Sequence, residues 1–196
     1  MTTLGLSEVT KAIRMCSHAV VGNGALKVSA VMIVLFCNSG EYWMVLNRRS
    51  RMVGRHKGEI AFPGGVKDPS DAGLLFTALR ETNEEMGIEP SNLKVLGSLD
   101  NVVTSTGYII TPFVGIIKYP YEYSVNRMEV EEVLEVRLLD LFRKELQRDE
   151  VHIRDGEVVK SPIYSFDGRL VYGATARILQ GFATLLDRVT WEESSC

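Results

Sequence analysis

The stretch that decides the fold is residues 62–88, FPGGVKDPSDAGLLFTALRETNEEMGI. Proline fixes its own φ and the two glycines tolerate positive φ and close backbone approach, so Phe62-Pro63-Gly64-Gly65 predicts a loop. A helix follows at about residues 72–86, and Gly87 stands where a left-handed residue ends a helix. Its apolar stripe consists of Leu75, Ala78, Leu79, Thr82 and Met86. The segment is therefore predicted to be a loop that leads directly into an amphipathic helix.

The other face of this helix carries three carboxylates. Glu81, Glu84 and Glu85 are spaced i, i+3 and i+4, so their side chains project toward one side of a single turn. They repel each other unless a cation is present, and Arg80 supplies one charge by reaching Glu84 at i+4. Carboxylates beside a glycine loop also suit Mg²⁺ or Mn²⁺, with coordination sites left for phosphate oxygens. Taken alone, such a cluster is more often only the solvated face of a helix.

Segments rich in β-branched residues flank this unit on both sides and predict an α/β fold with a mixed sheet. Asn38 and Gly40 supply the turn chemistry for a hairpin ahead of the loop. The predicted strands span residues 28–36, 42–47, 93–99, 108–117 and 132–136. The predicted helices span residues 7–16, 138–146 and 174–186, and a second hairpin is predicted across residues 154–157.

Composition limits the classes of protein that need to be considered. The chain has 196 residues, which is enough for one domain, residues 1–196, and too few for two full cores. With 22 basic and 25 acidic residues its net charge is −3, which gives no bulk electrostatic reason for nucleic-acid binding. No apolar run approaches the ~20 residues of a membrane helix, and we expect neither a membrane partner nor a secretory signal. Cys16, Cys37 and Cys196 lack paired or metal-binding spacing, which predicts reduced thiols in the cytoplasm.

The combined pattern resembles the signature of the Nudix hydrolase family, G-x5-E-x7-R-E-U-x-E-E-x-G-U, where U is a bulky apolar residue. Residues 80–88, RETNEEMGI, fit its second half, with Thr82 a mild departure at a U position. In the first half the glycine stands one residue early, at Gly65, and Ala72 stands where the signature has glutamate. Asp71 either substitutes for that glutamate or caps the helix. The resemblance implies a Nudix-type α/β/α sandwich with a mixed β-sheet and metal-dependent hydrolysis of a diphosphate.

Over about residues 28–186 the chain is also similar to a Nudix subgroup, the coenzyme A diphosphatases, which have the same displaced glycine. The subgroup marker L-L-T-x-R-S-x-x-x-R-x3-F-P-G-G resembles residues 45–65, with Asn47 in place of threonine. Tyr172-Gly173-Ala174-Thr175-Ala176 matches a later segment, and Arg137 replaces a proline. The resemblance implies hydrolysis of coenzyme A or a derivative to 3′,5′-ADP and 4′-phosphopantetheine, or to acyl-phosphopantetheine.

Two alternatives stay open. The departures at Asn47 and Arg137 leave room for a Nudix hydrolase of another nucleoside diphosphate derivative. The missing signature glutamate is the only support for a noncatalytic nucleotide-binding module. A homodimer also stays open, because dimers are common in Nudix hydrolases.

The resemblance implies a set of site residues. The metal ligands would be Glu81, Glu84 and Glu85, which bind Mg²⁺ or Mn²⁺ and are oriented by Arg80. The general base would lie in the signature helix or on a later loop, where Glu129, Glu131 and Glu132 are equal candidates. Contacts to the substrate's phosphates would come from Arg48, Arg55, His56 and Lys57 and from the loop at Gly64 and Gly65.

Overall fold

The computed structural model describes residues 6–14, 26–52, 56–154 and 156–188. The α-helices are α1 (Leu6–Arg14), α2 (Leu74–Met86) and α3 (Gly173–Asp187). The main sheet contains β1 (Lys27–Asn38), β2 (Glu41–Arg49), β3 (Ile60–Ala61), β4 (Gly64–Val66), β5 (Lys94–Ser98), β6 (Val102–Val103), β7 (Tyr108–Ile116) and β8 (Val130–Arg137). A second sheet contains β9 (Gln147–Arg154), β10 (Glu157–Phe166) and β11 (Arg169–Val171).

The main sheet is mixed, as the sequence predicts. Its strand order is β3-β2-β1-β7-β5, with β4 paired to β1, β6 to β7 and β8 to β2. Strands β1 and β7 run parallel, and the other pairings are antiparallel. The predicted hairpin of β1 and β2 is confirmed, and its turn consists of Ser39 and Gly40, both at positive φ. That conformation matches the twist of two strands joined by a two-residue turn.

Helices cover both faces of this sheet because β1 is apolar on both of its sides. Met32, Val34 and Phe36 belong to a core cluster with Ala78 and Met86 of α2. The alternate residues of β1, among them Ile33 and Leu35, belong to a second cluster with residues of α1 and α3. Since successive strand residues point to opposite faces, one strand supplies both cores. The result is the predicted α/β/α sandwich.

One predicted helix differs from the structure, and the end of another cannot be compared. Residues 138–146 form two short 3₁₀ turns, Leu138–Phe142 and Lys144–Leu146, instead of one helix. Arg143 between them has extended backbone angles, and its guanidinium bonds the side chain of Glu145. The predicted helix is therefore wrong: the segment turns twice, but the extended backbone of Arg143 separates the two turns. The leading helix is described from Leu6 to Arg14, and its predicted end at Cys16 lies outside the described residues.

The second sheet contains the predicted hairpin across residues 154–157, because Arg154 pairs with Glu157 at its end. Strand β11 extends this sheet, and the sequence analysis did not foresee it.

Cys37 corrects the expectation of reduced thiols. It is disulfide-bonded, and its partner is outside the described residues. The cytoplasmic expectation therefore loses the support it took from free cysteines. Among the helices of the described residues, none is long and apolar enough to span a membrane.

Candidate functional site

The glycine loop lies against two carboxylates of helix α2. A side chain at Gly64 would approach the backbone oxygen of Ala30 to 2.4 Å, and the Gly64 N–H donates to Glu85 Oε2 at 3.3 Å. A Cβ at Gly65 would stand 2.4 Å from the carboxyl carbon of Glu81. Glycine is therefore required at position 64, where β4 packs on the backbone of β1, whereas a side chain at position 65 would displace the Glu81 carboxylate.

Glu85 is the most buried of the predicted metal ligands, with only 2% of its side chain exposed. Asn47 Nδ2 donates to its Oε2 at 2.8 Å, and Arg49 Nη1 lies 3.5 Å from its Oε1. Burial raises the pKa of Glu85 to about 7, although Arg49, Asn47 and Gly64 each favour the ionised form. Glu85 therefore belongs to the buried face of α2, whereas the sequence places it with Glu81 and Glu84 on the face opposite the apolar stripe.

Glu81 lies one turn earlier on the same helix and is mostly buried, with 17% of its side chain exposed. Burial raises the pKa of its carboxyl, and the nearby charges of Glu84 and Glu129 act in the same direction. Arg80, whose Nη1 is 2.9 Å from Glu81 Oε1, opposes that rise. Glu84 is the outermost ligand candidate, at 52% exposure, and it also pairs with Arg80 at 2.8 Å.

Asp71 holds the guanidinium of Arg80 in place. The two side chains form a bidentate contact, with Nε 3.0 Å from Oδ1 and Nη2 3.1 Å from Oδ2. Asp71 also accepts hydrogen bonds from Thr77 Oγ1 and from the N–H of Asp68. The pairing with Arg80 holds the pKa of Asp71 well below its ordinary range and raises that of Arg80.

This geometry excludes one of the two roles left open for Asp71, that of the helix cap. Gly73 occupies the N-cap position of α2, and no side chain caps the helix there. Asp71 is therefore not the cap but the partner that orients Arg80. Both oxygens of the Asp71 carboxylate accept hydrogen bonds from Arg80.

The donor set fits a divalent cation by its chemistry. In the conformations of the described residues, no three His, Cys, Asp or Glu side chains converge on one point that could hold an ion. However, Glu81 and Glu85 are carboxylates with raised pKa values, so their neighbours do not fully compensate their charge. Asn47 Oδ1 and Arg49 Nε beside Glu85 are buried without a hydrogen-bond partner among the described residues. Oxygen ligands with uncompensated charge are what Mg²⁺ and Mn²⁺ require.

The three candidate general bases occupy different environments, and only Glu129 lies in the loop, because Glu131 and Glu132 belong to strand β8. Glu129 is half-buried, accepts a hydrogen bond from Asn126 Nδ2 at 3.2 Å, and is close enough to Glu81 to affect its pKa. Glu131 is exposed. Glu132 is held by Arg48 at 3.4 Å and by Arg169 of β11, so it links the two sheets. Of these three, Glu129 is the one that joins the carboxylates of α2.

The predicted phosphate contacts are also distributed unevenly. Arg48 contacts Glu132, whereas Arg49, which the sequence analysis did not single out, contacts Glu85. His56 is exposed at positive φ and bonds Glu59 at 3.0 Å. Arg55 lies outside the described residues, and Lys57 is exposed in the same loop.

Strand alternation could have found two of the residues that were missed. Val45 is in the core on the α2 side, so residues 47 and 49 share that face and residue 48 does not. Asn47 was noted in the sequence only as a departure from a marker.

Solved structures of Nudix proteins have the same fold. A NUDIX hydrolase from Alicyclobacillus acidocaldarius superposes with a TM-score of 0.53 over 87% of this chain and 100% of its own, at 16% identity. A MutT/nudix family protein from Enterococcus faecalis has a TM-score of 0.53 over 93% of this chain and 70% of its own, also at 16% identity. At these identities the likeness shows the fold alone.

Sequence comparison reaches further. The family model described as NUDIX domain matches residues 26–161. A Photorhabdus laumondii protein named uncharacterized Nudix hydrolase NudL is 34% identical over 155 residues, which cover 79% of this chain and 82% of that protein. The protein of the same name from Citrobacter koseri is 30% identical over 182 residues, which cover 93% and 95% of the two chains. The chain therefore belongs to the Nudix hydrolase family.

Proposed function

We propose that this chain hydrolyses the diphosphate bond of coenzyme A or a derivative, giving 3′,5′-ADP and 4′-phosphopantetheine or its acylated form. The proposal includes Mg²⁺ or Mn²⁺ as cofactor, with Glu81, Glu84 and Glu85 as its ligands. The observation that carries the reaction class is the contact of the buried Glu85 and the partly buried Glu81 with the backbone of Gly64 and Gly65. A diphosphate next to that loop would need a cation between itself and these anions.

Each residue of the site then has a distinct task. Glu81 and Glu85 offer oxygens at fixed positions, because the loop and Asn47 hold them. A bound divalent ion supplies neutralisation of the phosphate charge and polarisation of the phosphorus toward attack. Arg80, anchored by Asp71, keeps Glu81 and Glu84 oriented.

We assign the general base to Glu129. A water molecule attacks one phosphorus atom, a new P–O bond forms, and the bond from that phosphorus to the bridging oxygen breaks. Glu129 accepts the proton that the water loses, and the leaving phosphate takes the electron pair of the broken bond. The proximity of Glu129 to Glu81 supports this choice, and the engagement of Glu132 by two arginines speaks against the alternative.

The substrate assignment rests on the subgroup marker. Its first part, residues 45–50, runs along the end of β2, where Asn47 and Arg49 contact Glu85 and the Ser50 N–H donates to the Glu129 carbonyl at 2.7 Å. The marker residues therefore border the carboxylates instead of lying elsewhere in the fold. Asn47 contacts Glu85 at the position where the subgroup has threonine. Because of this departure, another nucleoside diphosphate derivative is a second candidate for the substrate.

Product analysis tests the proposal. Purified protein is incubated with coenzyme A and Mg²⁺ or Mn²⁺ in H₂¹⁸O, beside a panel of dinucleotides, nucleotide sugars and nucleoside triphosphates, and products are identified by mass spectrometry. We expect 3′,5′-ADP and 4′-phosphopantetheine, with ¹⁸O in only one of them. Turnover should be lost in Glu85→Gln and kept in the exposed control Glu89→Gln.

Other outcomes would contradict the proposal at different levels. Cleavage of another panel member but not of coenzyme A would refute the substrate and keep the reaction class. Tight nucleotide binding without turnover at any metal concentration would indicate a noncatalytic binding module.

A further inference from the structure

The loop that precedes β8 is docked onto the last turn of helix α2. The N–H of Asn126 donates to the carbonyl of Glu85 at 3.0 Å. Next to it, Ser124 packs so closely on Gly87 that a Cβ there would lie 2.5 Å from the Ser124 Cβ. The last carbonyls of a helix have no partner within the helix, so an outside N–H at Glu85 fixes the loop to this turn. The loop position is thus tied to one of the proposed metal ligands.

Asn126 uses its remaining polar groups to shape the loop around Glu129. Its carbonyl accepts from the N–H of Glu129 at 3.0 Å and from that of Val130 at 2.9 Å. Its side-chain Oδ1 accepts from the N–H of Met128 at 3.1 Å, which closes an Asx turn. Its Nδ2 donates to Glu129 Oε1 at 3.2 Å. One residue therefore determines both the backbone and the carboxylate of Glu129.

The chemistry of the amide explains why this residue is asparagine. The Asx turn needs an acceptor, which Asn and Asp both supply through Oδ1. The contact to Glu129 needs a donor, which only the amide supplies, because an ionised aspartate has acceptors alone. Asp at this position would also place a like charge beside Glu129. Asn126→Asp is therefore a substitution that keeps the turn and removes the contact.

We propose that Asn126 is a positioning residue, which holds the carboxylate of Glu129 in the orientation in which it accepts the proton of the attacking water. This inference rests on the proposed function, because Glu129 has a catalytic task only in that reaction. In the part of the chain that the structure describes, no side chain bonds the Glu131 carboxylate, and Arg127 Nη1 donates to the Glu131 carbonyl at 3.1 Å. The charge of Glu129 is near enough to Glu81 to raise the pKa of that carboxyl.

A double-mutant cycle tests this role. Turnover of coenzyme A and Mn²⁺ binding by calorimetry are measured for the wild type, Asn126→Asp, Glu129→Gln and the double variant. General base catalysis contributes about 10²–10⁴-fold, so we expect Glu129→Gln to lower kcat by at least about 100-fold. Asn126→Asp should lower kcat by about 10-fold or more, with KM and the Mn²⁺ affinity within about twofold of the wild type.

The decisive comparison is the effect of Asn126→Asp in the Glu129→Gln background. If Asn126 acts through Glu129, the second substitution adds less than about a twofold loss, because the group it positions is already gone. The control is Asn92→Asp, which removes a comparable amide contact, to the Tyr121 hydroxyl, and leaves the contact of Asn126 with Glu129 in place. It should leave kcat unchanged.

Each contrary outcome refutes a different statement. Equal losses from Asn126→Asp in both backgrounds, or a lowered Mn²⁺ affinity, would refute the positioning role and indicate a general structural one. Wild-type kcat in Glu129→Gln would refute Glu129 as the base and with it the role of Asn126. Absence of turnover in the wild type, on every member of the panel, would refute the proposed function itself.

Discussion

Replacement of Glu85 by glutamine should make the stability of the metal-free protein less sensitive to a rise in pH from about 5 to about 8, while it abolishes turnover. The carboxylate is 2% exposed. Burial raises its pKa from 4.5 to about 7, in spite of the contacts with Arg49, Asn47 and Gly64. Since a tenfold change in an ionisation constant corresponds to about 1.4 kcal/mol, keeping this group ionised costs the folded state about 3 kcal/mol.

The direction with pH follows from the protons bound by each state. The unfolded chain loses the Glu85 proton near its ordinary pKa of 4.5, whereas the folded protein keeps it up to about pH 7. Between these values the folded state binds more protons, so the free energy of unfolding falls as the pH rises. Glutamine stays neutral, and this fall of about 3 kcal/mol disappears. Its amide adds a donor that costs about 1–3 kcal/mol if unsatisfied, so the slope is a better measure than the absolute stability.

Urea unfolding with a chelator, at about pH 5 and about pH 8, measures this slope. Over that interval the wild type should lose about 2–3 kcal/mol more than Glu85→Gln. Glu89→Gln, an exposed change just beyond the same helix, should keep the wild-type slope. Mn²⁺ at about 100 times its Kd should raise the wild-type free energy of unfolding by about 2.7 kcal/mol and that of Glu85→Gln much less. Identical slopes for Glu85→Gln and the wild type would refute the argument from burial.

Three further substitutions test the surroundings of this carboxylate. Alanine can adopt the φ of Gly65, but its Cβ would displace the Glu81 carboxyl. Gly65→Ala should therefore lower kcat by about 10–100-fold and leave the circular dichroism spectrum unchanged. Asp71→Asn should lower both thermal stability and kcat because Arg80 loses its bidentate partner; that partnership is present above the ordinary Asp71 pKa of 3.8 and is lost only well below it. Arg48→Met should change kcat by less than about twofold and the unfolding free energy by less than about 1 kcal/mol, because the side chain forms a partly exposed ion pair away from the helix. A large loss of kcat in Arg48→Met would restore it as a phosphate contact.

Local patterns were sufficient to predict the framework of the site. The apolar run of β1 and the turn after it predict a hairpin, and Gly87, at φ 68, ends helix α2 where the sequence indicates. The proximity of Gly65 to Glu81 agrees with the fixed offset between the loop and the helix. These features depend on residues close together in the chain, for which spacing and propensity carry the information.

The buried face of α2 could not be derived in the same way. Periodicity assigns Leu75 to the core and Glu85 to solvent, because it treats every carboxylate as polar surface. In the structure Leu75 is 37% exposed, whereas Glu85 is buried. The reversal comes from β2, whose Asn47 is 38 residues away in sequence and donates to the Glu85 carboxylate. A contact between residues so far apart in the sequence does not change the spacing of apolar residues in the helix, so periodicity cannot predict it.

The Glu85 carboxylate is held by a neutral amide group, which is consistent with a cation-binding role. Asn47 holds the Glu85 carboxylate and Asn126 holds that of Glu129, both through neutral amide N–H groups. An amide orients a carboxylate without adding positive charge, whereas a close guanidinium would also neutralise it. Arg49 is near Glu85 but at 3.5 Å, and the pKa of Glu85 remains at about 7. The protein thus fixes the direction of the Glu85 carboxylate while leaving its charge uncompensated, at a cost in stability that a bound divalent ion would offset.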